Sequence, residues 1–149
     1  MIQIRRGVFE TNSSSVHSIT IGDNLPNDFE VPKRLEVCDL EVGRDFCYNT
    51  VQERYTIAVL MAYSEGRETF EKLIRMLDKI GVKEKILAKC TGADVFWSGV
   101  GIELGNAGEA SEDADYYMDE ILESEDSLKR WLFASDSELS GEDDNYFDY

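Results

Sequence analysis

The residues best suited to chemistry fall in one polar segment near the start of the chain, Gly7–Ser18, which reads GVFETNSSSVHS. An imidazole titrates near neutral pH and serves as a general acid or base. A serine hydroxyl can act as a nucleophile, and an asparagine amide with backbone N–H groups can hold an oxyanion or a phosphate. The candidate catalytic residues here are Glu10, Asn12, Ser13, Ser14, Ser15 and His17.

The same residue types also favour a turn with no catalytic role. Short hydroxyl and amide side chains readily bond to nearby backbone groups. If Val16–Ile21 is a strand, His17 shares a face with Ile19 and Ile21 and could be a core histidine. The segment matches neither a nucleophile elbow nor a phosphate-binding loop. Both interpretations stay open at the level of sequence.

Asp144 and Asn145, near the end of the chain, are two further candidates. If the first and last strands pair, these residues would lie close to the polar segment. One imidazole, several hydroxyls and a carboxylate would then share a pocket, which suits metal-free cleavage of RNA or acyl or phosphoryl transfer. Alternatively, the same residues hold the two ends of the fold together by hydrogen bonds.

The stretch from Arg5 to Ser18, RRGVFETNSSSVHS, resembles the N-terminal signature of a group of small, mostly uncharacterised proteins from phages, mobile elements and Firmicute-type bacteria. The segment Leu132–Ser137, followed by Gly141 and Asp144-Asn145, is similar to the end of those proteins, although Glu142-Asp143 is an extra acidic pair there. The resemblance implies a phage or mobile-element setting. In that setting we expect a protein that counteracts host defence, for example by inhibiting a CRISPR nuclease.

The net charge is the most informative feature of the composition. The 149 residues include 15 Lys and Arg against 31 Asp and Glu, which gives a net charge of −16. The excess is concentrated, because residues 101–149 hold only two basic residues. Such a field repels phosphate backbones, so we expect no direct binding to free nucleic acid. It attracts basic surfaces, which nucleic-acid-binding proteins commonly carry.

Carboxylates line the predicted helix over Glu112–Glu123, where Glu112, Asp115, Asp119 and Glu123 lie three and four residues apart. Like charges at that spacing repel by a few tenths of a kcal/mol per pair. Either the face is simply solvated, or the repulsion is accepted because the face imitates a line of phosphates. No calcium-loop pattern is present. The predicted partner-binding residues are Glu109, Glu112, Asp113, Asp115, Asp119, Glu120, Glu123, Asp126, Glu142 and Asp143.

Periodicity predicts the elements that position these groups. Ile2–Arg6 and Val16–Ile21 alternate like strands, and Leu35–Gly43 suits a strand or a short helix. Thr50 and Glu53 form a predicted capping box at the start of a helix that Ser64-Glu65-Gly66 interrupts. Four further segments are predicted: a helix over Arg67–Ile80 with Gly81 as its cap, a short helix over Val82–Cys90, a strand or hairpin over Asp94–Leu104, and a helix over Ser127–Phe133.

The acidic tail Ser135–Tyr149 contains Tyr146, Phe147 and Tyr149, so we expect part of it to dock or to pair with a strand. Aromatic residues elsewhere are predicted mainly to fill the core rather than to form a contact surface. These are Phe96, Trp97, Tyr116, Tyr117, Trp131 and Phe133. The overall prediction is one α+β domain over 1–149, with helices packed on a small antiparallel sheet and an acidic C-terminal third from about residue 105.

Three cysteines without a CxxC pair fit reduced thiols, and each is predicted to be a small buried hydrophobe. With a single histidine, we expect no metal site and no cofactor. No apolar run suits a membrane span and the start lacks a secretory signal, so we expect a cytoplasmic protein without membrane contact, in the host cell if a phage encodes it.

The leading hypothesis is a phage-type inhibitor that binds a basic nucleic-acid-handling host protein or nucleoprotein through an acidic, nucleic-acid-mimicking surface. One alternative is an enzyme, a metal-independent nuclease or related hydrolase or transferase centred on residues 11–18. A second alternative is a structural protein of a virion or mobile element.

Overall fold

The computed structural model describes residues 2–7, 16–38, 40, 45–87 and 114–142. The described part of the chain is an α+β fold with helices packed on a small antiparallel sheet, which confirms the predicted class. Its elements in chain order are β1 (Ile2–Gly7), β2 (Val16–Ile21), β3 (Arg34–Glu36), β4 (Asp45–Tyr48), α1 (Val51–Glu65), α2 (Arg67–Ile80), β5 (Glu84–Ile86), α3 (Ala114–Ile121), α4 (Glu125–Phe133) and β6 (Glu138–Glu142).

The main sheet has four antiparallel strands in the order β1-β2-β6-β4. The C-terminal strand β6 therefore lies between β2 and β4, which are far from it in sequence. Ile19 of β2 lies opposite Leu139 of β6, and both side chains are fully buried. The prediction that part of the acidic tail pairs with a strand is confirmed.

Helix α1 runs through the centre of the core. Its N-terminus has the predicted capping box: the Thr50 hydroxyl accepts from the Glu53 N–H at 3.2 Å, and the Glu53 carboxylate accepts from the Thr50 N–H at 3.1 Å. Every residue from Arg54 to Ala62 is buried, because α2, α3, α4 and β3 all contact this helix. A helix surrounded in this way is buried on all sides rather than on one.

The other helices are each buried on one side. Helix α2 buries Leu73, Met76 and Leu77 and ends at Gly81, whose φ of 114° is the left-handed conformation that favours glycine at a helix end. Helices α3 and α4 bury the side chains of Tyr117, Ile121, Leu128 and Trp131. The described part of the chain contains no helix with the length and apolarity needed to cross a bilayer.

The prediction of a short helix over Val82–Cys90 is wrong where the structure describes that segment. Residues 84–86 form β5, which pairs in parallel with β3. The Lys83 and Glu84 N–H groups both donate at 2.8 Å to the carbonyl of Lys33, the residue before β3, so the segment finds hydrogen-bond partners beside it in space rather than within itself. Leu35–Gly43 is predicted to be a strand or a short helix, and the strand is confirmed at the start of that segment, where Arg34–Glu36 form β3. The segment Asp94–Leu104, predicted as a strand or hairpin, lies outside the described residues.

Candidate functional site

The predicted catalytic residues are mostly outside the part of the chain that the structure describes. This holds for Glu10, Asn12, Ser13, Ser14, Ser15, Asp144 and Asn145. Of that set only the backbone of His17 is described, as the second residue of β2. The proposed pocket therefore stays a prediction.

Strand register still shows which chain segments meet at one end of the sheet. Residue 17 lies opposite Arg6 on β1 and Gly141 on β6, and Val16 lies opposite Glu142. The hypothesis that the first strand pairs with the last is wrong, because β2 separates β1 from β6. Even so, the start of β2 and the end of β6 are neighbours in the sheet.

A polar junction that the sequence did not predict joins the end of β2 to the loop between α4 and β6. We define it by residues 22–24 and 134–137. The Asp136 carboxylate accepts from the backbone N–H of Asp23 at 3.2 Å and from that of Asn24 at 3.0 Å. These backbone hydrogen bonds, above all the one from Asn24, lower the pKa of Asp136 because they stabilise the charged form.

Ser137 connects three elements of the same region. Its hydroxyl accepts from the Gly22 N–H at 2.9 Å and donates to the Arg130 carbonyl at 2.7 Å. Asn24 and Ser135 bond both through their side chains and from the Ser135 N–H to the Asn24 carbonyl. The segment Leu132–Ser137, which carries part of the resemblance noted in the sequence, thus holds the β2 loop in place through hydrogen bonds.

Arg54 of α1 lies beneath this polar junction and is only 2% exposed. Its guanidinium donates through one nitrogen to the carbonyls of Ala134 and Ser137, the latter at 2.8 Å. Burial lowers the pKa of Arg54, and nearby Asp136 and Glu53 oppose that shift. Trp131 donates its indole N–H to the Arg54 carbonyl at 3.1 Å. Arg54 therefore has a structural role, because it donates to the buried Ser137 carbonyl and adds a second donor to the Ala134 carbonyl, which also accepts from the Ser137 N–H.

Part of the predicted partner-binding surface is described, together with the neighbouring Glu125. We call Asp119, Glu120, Glu123 and Glu125 the acidic face. Glu120 is half-buried and the other three are exposed. Within the part of the chain that the structure describes, none of these four makes an ion pair. Asp126 differs, since it pairs with Arg130 at 2.9 Å, and Arg130 also pairs with Asp23 at 2.8 Å.

The remaining predicted partner-binding residues cannot be positioned in this way. Asp115 and Glu142 lie in α3 and β6, where only their backbone is described, and Glu109, Glu112, Asp113 and Asp143 lie outside the described residues. Of the predicted stripe, Asp119 is exposed on α3, whereas the prediction that the helix extends to Glu123 is wrong, because α3 ends at Ile121 and Glu123 is exposed in the turn that follows.

The core that supports the acidic face is well packed. Tyr117 and Ile121 of α3 and Leu128 of α4 are fully buried beneath it. The Ser124 hydroxyl caps α4 by accepting from the Ser127 N–H at 3.0 Å. Glu123 and Glu125 flank this cap, where negative charge is stabilised by the partial positive charge of the helix N-terminus. The carboxylates therefore project from a fixed α3–α4 corner.

Two cysteines can be compared with their predicted role. The prediction of a buried thiol is wrong for Cys47, which is exposed and whose thiol donates to the Glu138 carboxylate at 2.9 Å. Partial burial and the negative charge of Glu138 raise the pKa of Cys47 to about 11. Cys38 is half-buried, and Cys90 lies outside the described residues. Within the described ranges no group of three or more His, Cys, Asp or Glu side chains could hold a metal ion.

Comparison with known proteins does not assign the chain to a family. No family model, no curated protein and no solved structure matches it. The candidate site therefore depends on the geometry of the chain itself, and the acidic face is the part of that site that the described residues carry.

Proposed function

We propose that the protein is an inhibitory binding protein of phage type, which inserts its acidic C-terminal third into the basic groove of a nucleic-acid-handling protein. A CRISPR effector nuclease is the natural example of such a target. The observation that carries the proposal is the acidic face, where four carboxylates within seven residues make no ion pair in the described part of the chain.

The electrostatic argument is direct. Surface carboxylates that repel each other along one face do not stabilise the fold. Their field favours encounter with a positively charged groove and accelerates association at low salt. The buried side chains of Tyr117, Ile121 and Leu128 keep the α3–α4 corner ordered, so little conformational entropy is lost on binding.

Salt-dependent binding to a defined probe tests this proposal. The probe is a purified CRISPR effector nuclease with its guide RNA, titrated at low and high NaCl, with double-stranded target DNA as competitor. We expect the dissociation constant to rise steeply with salt, because exposed ion pairs are screened. We also expect the protein and the DNA to exclude each other. Equal affinity at both salt concentrations would contradict the proposal.

A matched pair of charge variants locates the binding surface. The test variant carries Asp119→Asn, Glu123→Gln and Glu125→Gln, whereas the control carries Asp28→Asn, Glu30→Gln and Glu68→Gln, which are also exposed. Both variants change the net charge equally. If each interfacial pair contributes roughly 0.5 kcal/mol, the test variant should bind about 10-fold more weakly. Equal losses in both variants would show that the net charge, rather than the acidic face, determines binding.

A second candidate function is a metal-independent nuclease that acts on RNA held by a basic partner. The observation that favours it is the register of β2 and β6, because residues 16 and 17 lie opposite residues 142 and 141. His17→Ala and Asn12→Ala variants distinguish the two functions. Loss of RNA cleavage with unchanged binding to the nuclease complex would support the enzyme, whereas unchanged inhibition would support the binding protein.

A further inference from the structure

A row of cations lies on the exposed side of α2, in a protein whose net charge is −16. The row consists of Lys72, Arg75 and Lys79, and all three side chains are exposed. Their spacing of three and four residues places them next to one another on the helix surface, over about 10 Å of its length. We call these three residues the basic face.

The basic face is not neutralised by the carboxylates of its own helix. Glu71 pairs with Arg67 at 3.0 Å, and Asp78 pairs with Lys83 at 3.5 Å. The third carboxylate of α2, Glu68, is exposed. Within the part of the chain that the structure describes, no member of the basic face makes an ion pair. Because two of the three carboxylates pair with other cations, the face keeps an excess of positive charge.

The basic face and the acidic face have opposite charges, and no ion pair joins them among the described residues. Charges that the fold keeps apart cannot neutralise each other within one molecule, whereas two copies can bring them together. Contact between unlike faces of two copies is a heterologous interface, which adds subunits head to tail. Both faces lie above buried side chains, Leu73 and Leu77 under α2 and Tyr117 under α3, so little conformational entropy is lost on contact.

We propose that the basic face of α2 is a docking surface for the acidic face of a second copy of this chain, so that the protein associates with itself head to tail. Residues 1–100 hold 13 basic against 15 acidic residues, so the part that carries the basic face repels an acidic surface only weakly. A nucleic acid fits less well, because its phosphates would extend beyond the basic face into the field of the C-terminal third. Head-to-tail association does not require the proposed target, but it covers the acidic face and therefore competes with that target.

Two complementary variants test the proposal by sedimentation velocity at low and high NaCl. The first neutralises the basic face: Lys72→Gln, Arg75→Gln and Lys79→Gln. The second neutralises the acidic face: Asp119→Asn, Glu123→Gln and Glu125→Gln. We expect the unaltered protein to form oligomers that grow with concentration at low salt and dissociate at high salt. Each variant alone should need about 10-fold more protein to associate, as the loss of three exposed ion pairs implies. An equimolar mixture should form a one-to-one dimer and nothing larger, because each variant keeps the face that the other lacks.

A control variant removes the same number of positive charges from the exposed surface near β3 and β5: Lys33→Gln, Arg34→Gln and Lys83→Gln. It should associate as the unaltered protein does, and an equal loss would overturn the proposal, since net charge would then be the cause. An unaltered protein that stays monomeric at low salt, or a mixture of the two variants without a dimer, would also overturn it. If a labelled single-stranded oligonucleotide binds the basic face instead, the proposed occupant is wrong. These measurements contain no nuclease, so their failure is distinguishable from a failure of the proposed function, and circular dichroism checks that each variant is folded.

Discussion

Gly22 and Asp136 are packed so closely that position 22 has no room for a side chain. A β-carbon built on Gly22 would lie 1.9 Å from a carboxylate oxygen of Asp136. The backbone of Gly22 is not in the left-handed region, so glycine is required here for space rather than for conformation. The contact joins residues 114 positions apart, and it explains how the loop after β2 is held against the loop before β6.

Gly22→Ala should destabilise the protein by about 1–3 kcal/mol, the usual cost of forcing an extra group into a packed site. The Asp136 carboxylate could swing away, but it would then lose its hydrogen bonds to the Asp23 and Asn24 N–H groups. Urea unfolding measures the change. In an Asp136→Ala background the same substitution should cost clearly less, because the colliding atoms are gone. An equal cost in both backgrounds would show that the carboxylate is not the cause.

The stability of the polar junction should fall in acid. Hydrogen bonds from Asn24 and Asp23 lower the pKa of Asp136 below its ordinary value of 3.8. A carboxyl whose pKa is lower in the folded state stabilises the fold above its unfolded pKa, and that stabilisation is lost as pH falls through the folded pKa. The free energies of unfolding of the unaltered protein and of Asp136→Asn should therefore differ at pH 6, and the difference should shrink as the pH falls below 3.8. A constant difference across this range would contradict the assignment.

Arg54→Met should be among the most damaging single changes in α1. It leaves the Ser137 carbonyl without its buried donor and removes one of the two donors to the Ala134 carbonyl, at an expected cost of about 1–3 kcal/mol. Arg67→Met is the control, because the Arg67 side chain is 91% exposed and pairs with Glu71 on the surface of α2. We expect that variant to change the free energy of unfolding by less than about 0.5 kcal/mol. If Arg54→Met is too unstable to measure, Arg54→Lys, which keeps one cationic donor, should be intermediate.

Cys47 should react slowly despite its exposure. Its pKa of about 11, against an ordinary 9.0, leaves about 100-fold less thiolate near pH 8. The measurement is the rate of reaction with a disulfide reagent between pH 7 and pH 10, in a variant whose Cys38 and Cys90 are serines. Glu138→Gln removes the neighbouring negative charge and should raise the rate at pH 8. A rate typical of an unperturbed thiol in the unaltered protein would contradict the Cys47–Glu138 contact.

Local patterns in the sequence determined most of the helices. The capping box at Thr50 and Glu53 correctly marks the start of α1, and Gly81 correctly marks the end of α2. Alternation also predicts β2, and the apolar spacing predicts Trp131 and Tyr117 as core residues. These predictions succeed because helix caps and amphipathic faces depend on residues within about one or two turns of each other.

Contacts between distant segments could be decided only by the tertiary structure. The local sequence around β5 predicts a helix, yet residues 84–86 form a strand because β3 supplies their hydrogen-bond partners. The placement of β6 between β2 and β4, the burial of Arg54 beneath Ala134, and the exposure of Cys47 have no periodic signal in the sequence. The sequence could show how much negative charge the C-terminal third carries. Only the fold determined that Arg130 pairs with Asp23, because ion pairs between distant segments depend on how the helices and loops come together in space.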